Sequence, residues 1–199
     1  MESFNQWREF FLPLFVFLVL LVIKQFSQMF KARQLKDIAP LLNGEVVIRP
    51  FSPPRIKGMH MGMPFQIIFM PEGRGSSGMV VVTFEYPCPF AMEVRPKGAI
   101  PHLGDLLSRG KVVQSGDEAF DVQYMLRVDK DPQKAEHYVM NKANRDMLAQ
   151  AFQMGFVSVR YSERGITLSR PGKVLRGEGV SSEELSSHLA FAARLGERL

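Results

Sequence analysis

Hydrophobic and polar positions divide the chain into an apolar N-terminal stretch and a longer body with short-period patterns. Residues 10–23 read FFLPLFVFLVLLVI, apolar without a break. In the body, apolar runs and alternation with period 2 predict strands at 46–48, 64–70, 79–86 and 90–96, and a hairpin at 156–170. Spacings of three and four predict helices at 102–108, from Pro132 to Gly155, and after a Ser181-x-x-Glu184 capping box. The pattern predicts an α+β fold, with an N-terminal transmembrane helix followed by one mainly antiparallel β domain, a packed helix and a C-terminal helix.

The apolar stretch is interpreted as a transmembrane helix over residues 7–30. Its fourteen apolar residues would span about 21 Å, which is short of a hydrocarbon core of about 30 Å. Trp7 on one side and residues 25–30 on the other extend it, and Lys24 can reach the interface along its stem. A cleaved signal peptide is the alternative, but KQFSQMFKAR follows the run instead of a small-x-small cleavage site.

The charges beside this stretch predict its orientation. Lys24, Lys31, Arg33 and Lys36 follow the apolar run, so the positive-inside rule places the N-terminus outside and the body in the cytoplasm. The expected localisation is the inner (plasma) membrane, with a single pass. The basic cluster would also contact anionic lipid.

Five segments follow from these boundaries. The sequence predicts a short extracytoplasmic N-terminus at 1–6, the span at 7–30 and a basic juxtamembrane helix at 31–43, which Asn43-Gly44 ends. An α+β domain is expected at 44–175, and a linker with a C-terminal helix at 176–199.

An acidic stretch, SGDEAFDVQYMLRVDKDP at 115–132, is the first candidate for chemistry. From Phe120 to Asp129, apolar and polar residues alternate, with Met125 as an exception on the polar side, which predicts a half-buried strand at 120–128. Asp121 would then lie on the polar face, and Asp117 and Glu118 in the preceding turn. The ligand spacing of a calcium loop is absent. The carboxylates are therefore interpreted as part of the scaffold.

This stretch and the helix after it resemble uncharacterised bacterial single-span membrane-anchored proteins. In those proteins a β-rich body carries a GD-x-x-FD-x-x-Y strand, and DP-x-x-A opens a helix that holds an arginine and a leucine. The matching residues here are Gly116, Asp117, Phe120, Asp121, Tyr124, Leu126, Asp131, Pro132, Ala135, Arg145 and Leu148. The resemblance implies a scaffold role for the stretch and brings no activity with it.

Other stretches offer weaker candidates for chemistry. Met59, His60, Met61 and Met63 contain soft ligands for Cu(I), but a strand with methionines packed on one face explains them as well. The glycine-rich GRGSSG at 73–78 leads into a strand, which favours a hairpin loop over a phosphate loop. The single cysteine, Cys88, excludes an intrachain disulfide framework.

Together these observations favour a membrane-anchored, non-enzymatic protein without a cofactor, acting as an accessory or assembly subunit of a larger membrane complex. It would bind through its span and its cytoplasmic body, with membrane lipids and other membrane-protein subunits as partners. Without the basic cluster beside the span, the body at 38–199 carries a net charge of only about +3, which is too weak to argue for nucleic acid. The alternatives are a membrane-tethered module for a small ligand or lipid headgroup, and a hydrolase whose residues converge only in three dimensions. The expected membrane and interface residues are Trp7, Phe11, Phe15, Phe17, Lys24, Lys31, Arg33 and Lys36.

Overall fold

The computed structural model describes residues 11–23, 33, 35–49, 52–70, 78–98, 110–172 and 181–199. Residues 11–23 and 35–38 are helical, and a 3-10 turn follows at Pro40–Leu42. The strands are β1 Gly44–Val47, β2 Arg55–His60, β3 Met63–Met70, β4 Met79–Phe84, β5 Ala91–Pro96, β6 Lys111–Val113, β7 Tyr124–Lys130, β8 Ser158–Ser162 and β9 Gly165–Pro171. The later helices are α1 Glu118–Gln123, α2 Pro132–Met140, α3 Lys142–Gln153 and α4 Ser182–Gly196.

All nine of these strands belong to one sheet, in the order β1-β2-β3-β4-β9-β8-β5-β7-β6. Every neighbouring pair is antiparallel. The first four strands form a meander, since each pairs with the next along the chain. Strand β9, from the end of the domain, then pairs with β4 and joins the meander to the remaining strands.

The core lies between one face of this sheet and the helices. Alternate strand residues such as Ile67, Val82 and Leu168 are completely buried, together with Leu148 of α3 and Leu189 of α4. Helix α4 packs on β2, β4 and β9, while α3 packs on β5 and β8 and α2 on β7. Burial of one side chain per two strand residues, with helices over that side, is typical of an antiparallel sheet with one covered face.

The opposite face of the sheet carries half-exposed, mainly polar side chains. The hydroxyl groups of Thr83 and Thr167 lie 3.3 Å apart across β4 and β9. Ser158 donates a hydrogen bond of 3.0 Å to Glu93 across β8 and β5. Such cross-strand pairs add to the stability of the sheet without burying apolar surface.

Helix starts follow local side-chain signals. The hydroxyl of Ser181 accepts the N–H of Glu184 at the start of α4, as the sequence predicts. Asp131 precedes Pro132 at the start of α2, but its side chain makes no capping hydrogen bond and its φ is +52°. The segment predicted as one helix from Pro132 to Gly155 is two, because Asn141 is extended and caps α3 through Ala143.

The predicted transmembrane helix, and with it the predicted fold class and localisation, is wrong. In the part of the chain that the structure describes, no helix has the length and apolar character that a bilayer crossing requires. Helical residues 11–23 would rise only about 20 Å, against a hydrocarbon core of about 30 Å. The other residues of the predicted span lie outside the described ranges.

The strand predicted at 120–128 is also partly wrong. Residues 118–123 form α1, and the strand begins only at Tyr124. Phe120 and Tyr124 are four residues apart, and their ring centroids lie 4.6 Å from each other. The alternation of Phe120 and Tyr124 with polar residues predicted a strand, but their spacing of four residues also fits one turn of a helix. The helix predicted at 102–108 and the loop at 73–77 lie outside the described residues.

Candidate functional site

Helical residues 11–23 form an exposed apolar surface, which we call the apolar segment. Its three predicted interface rings, Phe11, Phe15 and Phe17, are 56%, 66% and 58% exposed. Most aliphatic side chains between them are exposed as well. Because successive helical residues point about 100° apart, the exposed apolar surface runs around the helix rather than along one stripe.

The other predicted interface residues divide into two groups. Arg33 and Lys36 are exposed. Trp7, Lys24 and Lys31 lie outside the described residues. Of the predicted interface, the structure thus presents three of the four aromatic side chains and two of the four basic ones.

Asp117 connects two helices through its carboxylate. One oxygen accepts the N–H of Phe120 at 3.1 Å and caps α1, and the other accepts Nη2 of Arg145 at 3.1 Å. Arg145 also donates through Nη1 to the carbonyl oxygens of Val139 (3.0 Å) and Met140 (2.6 Å), at the end of α2. The hydrogen bond from Phe120, and secondly the positive charge of Arg145, lower the pKa of Asp117. The carboxylate thus links α1 to α3, and Arg145 links both to the end of α2.

Asp121 has a similar structural role. Both of its carboxylate oxygens accept the backbone N–H of Ser115, at 2.9 and 3.1 Å. The contact closes the turn before α1, in which Gly116 has a φ of +79°. Tyr124 stacks on Phe152 with ring centroids 4.8 Å apart. These contacts give Asp117, Asp121 and Arg145 structural roles.

A surface groove lies between α2 and the end of α4, and we call it the α2–α4 groove. Its volume is about 800 Å³. Beneath it, the hydroxyl groups of Tyr138 and Tyr161 form a buried hydrogen bond of 2.9 Å, and the ring of Phe90 lies 5.3 Å from that of Tyr138. Burial raises the pKa of Tyr138, and the hydrogen bond with Tyr161 opposes part of this rise. The lining residues are Pro89, Phe90, Gln133, Lys134, His137, Tyr138, Met140, Asn141, Asn144, Arg198 and Leu199.

His188 on α4 is a buried histidine beside a cation. Its Nε2 lies 3.1 Å from Nη1 of Arg170, which also pairs with Glu184. Its ring packs edge-on against Phe156, with centroids 4.7 Å apart. Burial, and secondly the charge of Arg170, lower its pKa to about 4. The ring is therefore neutral at pH 7 and serves packing.

Burial determines the surroundings of Cys88, and a tight turn determines those of the methionine stretch. Burial raises the pKa of the Cys88 thiol to about 11, and its sulfur donates to the carbonyl oxygen of Tyr86. Met61 and Gly62 form the turn between β2 and β3, which leaves Met59 and His60 on opposite faces of the hairpin. Within the described ranges, no three His, Cys, Asp or Glu side chains lie where they could hold a metal ion.

Sequence reasoning missed the α2–α4 groove. Lys134, His137 and Asn141 are spaced at i, i+3 and i+7, which places them along one side of α2. This spacing could have indicated from the sequence that they share a surface. Phe90 directly precedes β5 and Arg198 follows α4, so nothing in their local sequence points to the groove.

Comparisons with known proteins concern the fold. No protein-family model matches the chain, and the search of curated proteins found no match. A solved structure with a similar fold is the crystal structure of the mycobacterial trehalose monomycolate transport factor A, TtfA. The TM-score is 0.53 at 9% sequence identity, over 84% of this chain and 91% of that chain. At this identity the likeness extends to the fold alone.

Proposed function

We propose that this protein is a non-enzymatic accessory subunit, and that its apolar segment packs against apolar helices of membrane-protein subunits in a larger complex. The observation that carries the proposal is the exposure of Phe11, Phe15 and Phe17 among exposed aliphatic residues. Contiguous exposed apolar surface of this kind marks interaction sites. Large rings add contact area where dispersion drives the packing of apolar helices.

The engagement of the reactive side chains supports a binding role over catalysis. Asp117 and Asp121 are occupied by Arg145 and by backbone N–H groups. Cys88 is held as a thiol by burial. The fold is shared with a protein named as a transport factor, and the likeness is one of fold alone.

Photocrosslinking tests the proposal. A photoreactive amino acid replaces Phe15 in the apolar segment or, as a matched control, Val122 on α1, which is 65% exposed. We expect the probe at position 15 to give a discrete crosslink to one partner protein, identified by mass, and the probe at 122 to give none to it. Crosslinks from position 15 to lipid alone, or the same partner from both positions, would contradict the proposal.

A second arm examines the rings themselves. Replacement of Phe11, Phe15 and Phe17 by leucine keeps the segment apolar and of equal length. We expect the variant to recover less of the crosslinked partner on co-purification, because the rings supply contact area. Full recovery would show that the partner is held elsewhere.

A further inference from the structure

The α2–α4 groove combines basic side chains with an apolar wall. Lys134 and His137 come from one side of α2, and Arg198 follows α4. All three are exposed. Among the eleven residues that line the groove there is no Asp or Glu, and Glu136 and Glu197 do not contribute to its lining. The side chains of the groove therefore present positive charge.

The end of α2 would normally oppose this charge. The last carbonyl groups of a helix carry partial negative charge. Here Arg145 donates to the carbonyl oxygens of Val139 and Met140, and Asn144 donates to that of Tyr138 at 2.9 Å. Because these carbonyl groups are already hydrogen-bonded, they do not cancel the basic side chains at the groove.

The apolar wall lies beside the basic side chains. Met140 is 64% exposed, and Pro89 is exposed as well. Phe90 and Tyr138 lie beneath them with only their edges at the surface. A volume of about 800 Å³ is within the range of small-molecule sites. The groove thus has room for a ligand with two unlike ends.

We propose that the α2–α4 groove binds a single-chain anionic amphiphile, with its phosphate or carboxylate against Lys134 and Arg198 and its chain along Met140, Pro89 and the edge of Phe90. Complementary charge selects the head, and the apolar wall removes part of the chain from water. The site is separate from the apolar segment, so it does not depend on the proposed function.

Isothermal titration calorimetry of the full chain tests this proposal with three probes. Each probe that forms micelles is used below its critical micelle concentration. The probes are dodecyl phosphate, dodecyl maltoside and inorganic phosphate. We expect dodecyl phosphate to bind about tenfold more tightly than either of the others, because only it uses both parts of the groove. Equal binding of dodecyl maltoside would overturn the proposal, since the chain alone would suffice. Equal binding of inorganic phosphate would overturn it as well, because the groove would then be an ion site only.

A charge-reversed variant locates the binding. Lys134→Glu with Arg198→Glu changes two exposed side chains, and we expect it to weaken dodecyl phosphate about tenfold or more. The matched control, Lys57→Glu with Lys111→Glu, alters the net charge equally on β2 and β6, outside the groove. Equal losses in both variants, or no loss in the first, would overturn the assignment. Thermal melts of all variants verify that they are folded.

Discussion

At the scale of single residues, most side chains that looked like candidates for catalysis or metal binding instead hold parts of the fold together. Arg145 shows this best, because its guanidinium reaches the cap of α1 and the last carbonyl groups of α2 at once. Its side chain is only 13% exposed. Charge-assisted hydrogen bonds that are partly shielded from water are stronger than exposed ones. Arg145 should therefore matter more to stability than its place on a polar helix suggests.

We expect Arg145→Ala to lower the free energy of unfolding by about 2–4 kcal/mol. The substitution leaves the carbonyl groups of Val139 and Met140 and the carboxylate of Asp117 without this donor. Urea unfolding measures the loss. Lys142→Ala, an exposed change at the start of the same helix, should stay within about 0.5 kcal/mol. Similar losses from the two variants would show that the guanidinium is not the connection.

Cys88 is expected to be unreactive in the folded protein. Its side chain is 5% exposed and its pKa is raised to about 11 by burial, so little thiolate is present at pH 8. Reaction with a chromogenic disulfide should be slow in buffer and fast in denaturing urea. Val122→Cys places a second thiol at an exposed position and should react rapidly without urea. Comparable rates for both thiols in buffer would contradict the burial of Cys88.

At the scale of elements, the sequence correctly predicted helices and strands with strong local signals. The prediction failed where the same apolar positions fit both the period of a strand and that of a helix. The capping residue Ser181 predicted the start of α4, and apolar runs predicted β3 and β4. Phe120, Val122 and Tyr124 alternate with polar residues, as in a strand. Phe120 and Tyr124 are also four residues apart, which is the spacing of one turn of a helix such as the six-residue α1. A helix that short has too few turns to show its period against alternation. Asp117 three residues before Phe120 was a capping signal that could have identified it.

The β8–β9 hairpin depends on the absence of a side chain at Gly165. Its φ is +135°, and a Cβ there would lie 1.7 Å from the carbonyl oxygen of Phe84 on the neighbouring strand β4. Since backbone cannot yield as a flexible side chain can, we expect Gly165→Ala to cost about 3 kcal/mol or more. Gly62→Ala is the control, because φ is +78° there with open space around it.

The control substitution should cost only about 1 kcal/mol, from the left-handed backbone alone. Chemical denaturation of the two variants in parallel separates the contact from the backbone effect. Equal costs would mean that β4 and β9 are not as close at Gly165 as described.

At the scale of the whole molecule, the strand order and the α2–α4 groove could not be predicted. Both arise from contacts between residues far apart in the chain, such as β4 with β9 and Phe90 with Tyr138. Local periodicity contains no information about such pairs. The basic and aromatic residues of the groove therefore looked like unrelated surface and core positions.

Protonation of the buried His188 on α4 should lower the stability of the folded protein in mild acid. The pKa of His188 is about 4 in the folded protein and near 6.5 when unfolded. The unfolded chain therefore binds the proton more readily, and stability is lost as the pH falls from about 6.5 towards 4. The loss from this group is up to about 3 kcal/mol.

Unfolding curves from pH 7 to 4 measure this effect. His188→Leu removes the titrating ring while keeping an apolar side chain near Phe156 and Arg170. We expect the variant to have a shallower dependence on pH over that range than the parent protein. An unchanged slope would show that His188 is accessible to protons in the folded state.

The position of β9 also affects how the chain folds during synthesis. A ribosome completes the meander β1 to β4 about eighty residues before it makes β9. Until then β4, with Val80, Val81 and Val82, is an open edge of the kind that pairs with other chains. Pairing across so many residues is also slow. Newly made protein thus passes through a stage that is prone to aggregation, and this open edge closes only when β9 pairs with β4.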